Sequence, residues 1–152
     1  MRQQPVRNRV AQWCTWAACA LAVGAAAVAV VVPGGMSSRV HGVVLPLGVA
    51  AAALAASAIT SGRSAWLGAF LDAAATLAVL YEMILAASLP VRLAIEGTCP
   101  PSTASCPLGF ERPATEVEMF AVYSAVIAGA VSLLLIFAAV EARYLRARRP
   151  PG

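Results

Sequence analysis

Four long apolar runs constrain this chain more than any other feature of its sequence. They cover residues 13–32, 43–60, 65–89 and 117–140, and only the third has charged side chains in its interior, those of Asp72 and Glu82. A helix of about 20 apolar residues is about 30 Å long, which matches the hydrocarbon core of a bilayer. The sequence therefore predicts an all-α integral membrane protein whose four transmembrane helices form an antiparallel bundle.

The composition excludes most other classes of protein. Hydrophobic residues make up 61% of the 152 residues and charged residues 12%, whereas soluble domains carry about 25% charged residues. All 11 basic residues are arginines, and they flank the apolar runs. This pattern is typical of a membrane topology signal, so we expect the lipid bilayer as a partner and no nucleic acid.

The arginines also predict an orientation. The N-terminal tail (residues 1–12), the turn at Arg63 and the C-terminal tail (residues 143–152) hold eight arginines, whereas the opposite side holds three. Because positive charge marks the cytoplasmic side, we expect a multi-pass protein of the cell membrane with both basic tails in the cytoplasm. Residues 90–116 would then form an outer loop. A cleaved signal peptide is the alternative for the first run, although the run is longer than the 7–15 apolar residues that are usual there.

The cysteines fall into two pairs. Cys14 and Cys19 lie in the first apolar run, where a free thiol behaves as a small apolar side chain. Cys99 and Cys106 lie in the expected outer loop, where an oxidising environment favours a disulfide, with two free thiols as the alternative. The chain has one histidine, His41, so the sequence predicts neither a zinc site nor a catalytic triad. We expect no metal, no cofactor and no enzymatic activity.

Several residues are expected to mark helix ends. Thr115 and Glu118 have the spacing of a capping box at the start of the fourth helix. Pro46 is expected in the first turn of the second helix, where a missing amide proton is tolerated, and Pro90 is expected to stop the third helix. The short Ser61–Arg63 connection predicts that the second and third helices are antiparallel neighbours.

The two acids of the third run are the candidate functional residues. A carboxylate at the bilayer centre costs about 2.5–3.5 kcal/mol on insertion scales, so such residues normally face a partner, a cavity or an ion path. Asp72 and Glu82 belong to one helical seam with 3-4-3-4 spacing, about 15 Å apart, which is too far for a shared proton. Asp72 is expected to lie deeper in the membrane than Glu82. Expected hydrogen-bond partners are Thr76 for Asp72, and Tyr81, Tyr123 and Ser124 for Glu82.

Three interpretations of these acids remain open. They are neutral packing residues, they contact a basic or polar group of another membrane subunit, or they serve a proton or cation path. The apolar runs contain no arginine, lysine or histidine to pair with them, and this weakens the third interpretation.

Small residues recur at a spacing of four in three of the runs. Such stripes allow close helix packing in lipid, either within a bundle or against another protein. The sequence therefore predicts a protein that acts by interaction, as an accessory or assembly subunit of a larger membrane complex or through self-association. The alternative is a small oligomeric proton- or cation-coupled transporter that uses Asp72 and Glu82. The stripes are Ala20–Gly24, Gly48–Ala52–Ala56 and Ala121–Ala125–Gly129.

Overall fold

Four long helices make up the framework of the protein in the computed structural model. The structure describes residues 3–32, 38–61, 63–99, 106, 108, 110 and 112–147. All four helices are long and apolar enough to cross a membrane, which confirms the expected all-α class with four candidate spans. The helices are α1 (Gln3–Val31), α2 (Ser38–Thr60), α3 (Ala65–Glu96) and α4 (Glu116–Ala147).

The helices form a closed ring in which α1 and α3 each pack against α2 and α4. Near one end of the ring, four side chains meet through hydrogen bonds. They belong to the first half of α1 (Thr15), the last turn of α2 (Ser57), the first half of α3 (Asp72) and the last turns of α4 (Arg143). Consecutive helices must therefore run in opposite directions. The antiparallel arrangement agrees with the sequence prediction.

Local hydrogen bonds fix the starts of α3 and α4. Ser64 caps α3, since its hydroxyl accepts a hydrogen bond from the amide of Leu67 at 3.3 Å. At α4, the Glu118 amide donates to the Thr115 hydroxyl (3.1 Å) and the Thr115 amide donates to the Glu118 carboxylate (3.0 Å). This reciprocal pair is the predicted capping box, which is confirmed.

Two prolines lie inside helices, contrary to the sequence predictions. Because α2 begins at Ser38, Pro46 lies in its interior and not in its first turn. Pro90 does not stop α3, which continues to Glu96 and ends at Gly97 with a positive φ of 79°. The predicted end at residue 89, with an outer loop from residue 90, is therefore wrong. Membrane helices tolerate proline because neighbouring groups and local adjustments satisfy the freed carbonyl.

The other helices also extend beyond the apolar runs. α1 begins at Gln3 and α4 continues to Ala147, so parts of the predicted tails 1–12 and 143–152 are helical. Arg143 thus lies within α4 and does not begin a tail. Residues 33–37, which follow the first apolar run, the segment between the two outer cysteines, and Arg2, Arg148 and Arg149 lie outside the described residues.

The predicted disulfide is present. Cys99, which is buried, is bonded to Cys106, and their Cα atoms are 5.8 Å apart. Cys14 and Cys19 are free and half-buried, as expected for small apolar side chains. The disulfide ties the segment after α3 to the segment that leads towards α4.

The three small-residue stripes have different surroundings. Ala121, Ala125 and Gly129 of α4 are buried in the bundle. In α1 and α2, by contrast, Gly24 and Gly48 are exposed, and a Cβ added to either would meet nothing within 4 Å. The α4 stripe therefore packs the core, and the other two face outward.

Candidate functional site

One side chain from each helix contributes to a polar cluster at one end of the bundle. We call Thr15, Ser57, Asp72 and Arg143 the polar cluster. The Arg143 guanidinium forms an ion pair with Asp72 Oδ2, and the Ser57 hydroxyl donates to Asp72 Oδ1 at 2.6 Å. Arg143 Nη2 also donates to Thr15 Oγ1 at 3.0 Å, and Nη1 to Ser57 Oγ at 3.3 Å. The polar cluster joins all four helices.

The partners of Asp72 come from its own chain. Its side chain is 4% exposed, and each of its carboxylate oxygens has a partner in the polar cluster. The Arg143 side chain is 22% exposed, so the ion pair is buried mainly on the Asp72 side. An internal cation therefore compensates this buried carboxylate, which makes a cation from another subunit unnecessary at Asp72.

Arg143 was missed by the sequence analysis, which placed it in the C-terminal tail. The signal that indicates it is the spacing of the buried face of α4. Ser132, Ile136 and Ala139 are buried, and Arg143 continues their 4-3-4 spacing into the bundle. The objection that no arginine pairs with the intramembrane acids therefore does not hold for Asp72.

The expected hydrogen-bond partners lie elsewhere. Thr76 donates to the backbone carbonyl of Asp72 at 2.8 Å and not to its carboxylate. Ser124 donates to the Ala121 carbonyl of its own helix, also at 2.8 Å. Tyr81 and Tyr123 are 58% and 56% exposed on the outside of the bundle. None of these side chains satisfies a carboxylate.

Glu82 lies inside the bundle and has no hydrogen-bond partner among the residues that the structure describes. It is 0% exposed, and neither carboxylate oxygen is bonded within the described part of the chain. A Cβ on Gly129 of α4 would lie 3.1 Å from Glu82 Oε2, so the carboxyl touches the α4 backbone surface. Ser132, on the next turn of the same face, is also fully buried and has no partner among the described residues. We call Glu82, Gly129 and Ser132 the internal acid site.

Glu82 lies nearer to the middle of its span than Asp72, whereas the opposite order was expected. The candidate span of α3 covers residues 65–95, so Glu82 lies close to its midpoint and Asp72 lies nearer to one end. The expected order is wrong, because α3 continues past Pro90 and the midpoint of its candidate span lies at residue 80, close to Glu82. Glu82 is thus the acid nearer to the midpoint of the candidate span.

An apolar layer separates the polar cluster from the internal acid site. Ala18, Leu54, Ala75 and Ile136 form a buried cluster between them, and Val79 is also fully buried. The two acids are ten residues apart in one helix, or about 15 Å. The acids therefore occupy two separate sites with different surroundings.

Comparison with known proteins gives no relative for this chain. It matches no family model, no curated protein and no solved structure. Its function is therefore inferred from the surroundings of the two acids and from the outer surface of the bundle.

Proposed function

We propose that this protein acts by interaction, as an accessory or assembly subunit of a larger complex in the cell membrane. The observation that carries the proposal is the position of Tyr81. This residue lies next to residue 80, the midpoint of the α3 span, and is 58% exposed. Its neighbour Glu82 is fully buried, so Tyr81 faces away from the bundle.

A lipid-facing tyrosine at this depth requires an explanation. Mutational data give a cost of about 1–3 kcal/mol for a buried hydroxyl without a hydrogen-bond partner. The membrane surface lies about 15 Å from the bilayer centre, which is beyond the reach of a tyrosine side chain. An acceptor on a helix of another membrane protein would satisfy the Tyr81 hydroxyl.

The rest of the outer surface supports the same proposal. The outward stripes of α1 and α2 contain Ala20, Gly24, Gly48 and Ala52, all exposed. Small residues let a second helix approach closely, and this packing is a main source of helix association in lipid. Both acids are enclosed in the bundle, so a partner would recognise this outer surface and not the carboxylates.

Replacing Tyr81 with phenylalanine should weaken the complex. The change removes one hydroxyl and keeps the ring, so we expect about a tenfold loss of co-purified partner, as for one hydrogen bond of about 1.4 kcal/mol. Tyr123→Phe is the matched control, because Tyr123 is equally exposed but lies about 10 Å nearer to the end of its span. The measurement is affinity purification in mild detergent, with the partner quantified against the tagged chain.

Two outcomes would contradict the proposal. One is a chain that purifies alone or only with copies of itself, without a stoichiometric partner. The other is a partner that is retained equally by the wild type, Tyr81→Phe and Tyr123→Phe, which would show that the Tyr81 hydroxyl is not at the contact.

We further infer that the end of the bundle with the polar cluster faces the cytoplasm. Arg9 and Arg63 are exposed near this end, together with Trp13 and Trp66, which is the pattern of a basic interface with an aromatic belt. A reporter that is active only outside the cytoplasm should stay inactive when fused after residue 150 and become active after residue 103. An active fusion after residue 150 would contradict the cytoplasmic C-terminus.

A further inference from the structure

The buried carboxyl of Glu82 is not used by the outer contact proposed above. Native proteins pair about 90% or more of their buried polar groups, so each unpaired one calls for an explanation. Here two of them lie together, because Glu82 touches the Gly129 position and Ser132 is one turn away on the same face of α4. The internal acid site therefore has the composition of a small binding site.

No charged side chain bonds the Glu82 carboxyl within the described part of the chain, and His41, near the start of α2, is exposed. Residues 10–31 of α1, 42–60 of α2 and 119–140 of α4 contain no charged side chain. Their titratable side chains do not reach Glu82, whose oxygens are unbonded: Cys19 Sγ bonds the Ala51 carbonyl at 3.4 Å, Cys14 is half-buried on α1, and Tyr123 faces outward. In α3, the nearest charged residues are Asp72 and Arg92, each ten residues or about 15 Å along the helix from Glu82, and Asp72 is already paired with Arg143.

These surroundings favour a neutral acid. An isolated carboxylate in an apolar medium is far more costly than a neutral carboxyl group. Glu82 and Ser132 offer three side-chain oxygens, whereas hard cations such as Ca²⁺ take about six to eight oxygen ligands. A single proton is therefore the ligand that fits the internal acid site.

We propose that Glu82 and Ser132 form a proton-binding site at the centre of the membrane. The closed bundle holds one proton on the Glu82 carboxyl, and separation of α3 from α4 admits water and passes that proton to it, leaving a hydrated carboxylate. The α3–α4 contact is the least extensive of the four in the ring, and it has the glycine at position 129 directly against the carboxyl. This inference is independent of the contact through Tyr81.

Infrared spectroscopy of the purified protein in lipid measures this proton directly. The C=O stretching band of a protonated carboxyl should be present near neutral pH and should disappear reversibly as the pH is raised. Glu82→Gln should remove the band, and Glu141→Gln, which changes an exposed acid of α4, should retain it. Ser132→Ala should shift its frequency, since the neighbouring hydroxyl is lost.

Three results would overturn the inference. Absence of the band in the wild type would show an ionised Glu82. A band that persists at every pH at which the protein stays folded would show a permanent packing acid. An unchanged band in Ser132→Ala would remove Ser132 from the site.

Carbodiimide labelling gives a second readout, which is obtained with the wild-type protein and so does not depend on whether a variant folds. The carboxyl O–H of an acid adds across one C=N bond of dicyclohexylcarbodiimide: the oxygen joins the carbon, the proton goes to nitrogen, and no group leaves. Mass spectrometry of the wild type should locate the adduct on Glu82 and not on Asp72, with a yield that falls as the pH rises. An adduct elsewhere only, or none, would contradict a protonated Glu82. Tyr81→Phe should leave both readouts unchanged, so this test and that of the proposed function fail separately.

Discussion

Replacing Arg143 with glutamine should destabilise the bundle by about 3 kcal/mol. Removal of one partner from a buried ion pair typically costs about 3–5 kcal/mol, because the other charge stays buried without compensation. The lower end applies here, since Arg143 is 22% exposed and Asp72 is 4% exposed. The hydrogen bonds from Arg143 to Thr15 and Ser57 would also be lost.

A double-variant cycle separates the ion pair from general damage to the helix. Asp72→Asn combined with Arg143→Gln leaves no buried charge, so most of the lost stability should return. The measurement is unfolding in detergent for the wild type, both single variants and the double variant. Arg63→Gln is the matched control, because Arg63 is exposed in the turn between α2 and α3, and it should change stability by no more than about 0.5 kcal/mol.

Two results of the double-variant cycle would contradict coupling between Asp72 and Arg143. If Arg143→Gln is no more destabilising than Arg63→Gln, or if the double variant loses the sum of both single effects, then Asp72 and Arg143 are not coupled. Asp72 would then need a partner outside the bundle, as the second sequence interpretation holds.

Replacing Gly129 with leucine should also destabilise the protein, by about 1–3 kcal/mol from overpacking. An added Cβ would lie 3.0 Å from Met83 Cγ and 3.1 Å from Glu82 Oε2, so α3 and α4 would have to separate. Gly24→Leu is the matched control, because nothing lies within 4 Å of a Cβ at that exposed position. Both changes replace a helical glycine, so the gain in helix propensity cancels in the comparison.

Unfolding of the two leucine variants under the same conditions gives this difference directly. We expect Gly129→Leu to unfold more readily than Gly24→Leu, and Gly129→Ala to fall between Gly129→Leu and the wild type because the Met83 side chain is able to move. Equal stability of Gly129→Leu and Gly24→Leu would show that α3 and α4 do not meet at the internal acid site.

Apolar runs predicted the number and type of the helices but not their ends. Length and hydropathy identify four spans because the bilayer requires them. Pro90 was misleading, since the rule that proline stops a helix holds in water and is relaxed in a membrane. The error placed the expected end of α3 at Leu89 and not at Glu96, so the position of Glu82 close to the midpoint of the span was not predicted.

Periodicity predicted part of the candidate site. The 3-4-3-4 spacing places Asp72, Ala75, Val79, Glu82 and Ala86 on one seam, and all five are buried. Depth alone suggested Tyr81 as a partner for Glu82, although adjacent residues in a helix point about 100° apart.

Arg143 was not predicted as a site residue, because the predicted span ends before the first charges that follow the apolar run. A long arginine side chain is able to lie along apolar surface and carry its charge to a buried partner. That contact joins α3 to α4 at a sequence separation of 71 residues, which no local pattern contains.

Cysteine scanning along α3 tests most directly the central claim, that both acids face the interior of the bundle. Single cysteines are introduced into a Cys14→Ala/Cys19→Ala background and are labelled in membranes with a bilayer-soluble maleimide. The buried positions are those of Ala75, Val79 and Ala86, and the exposed positions are those of Leu77, Leu80 and Ile84. We expect rapid labelling at the exposed set and slow labelling at the buried set, which shares its seam with Asp72 and Glu82. Labelling of the buried set as fast as the exposed set would place both carboxylates against lipid and would contradict the account.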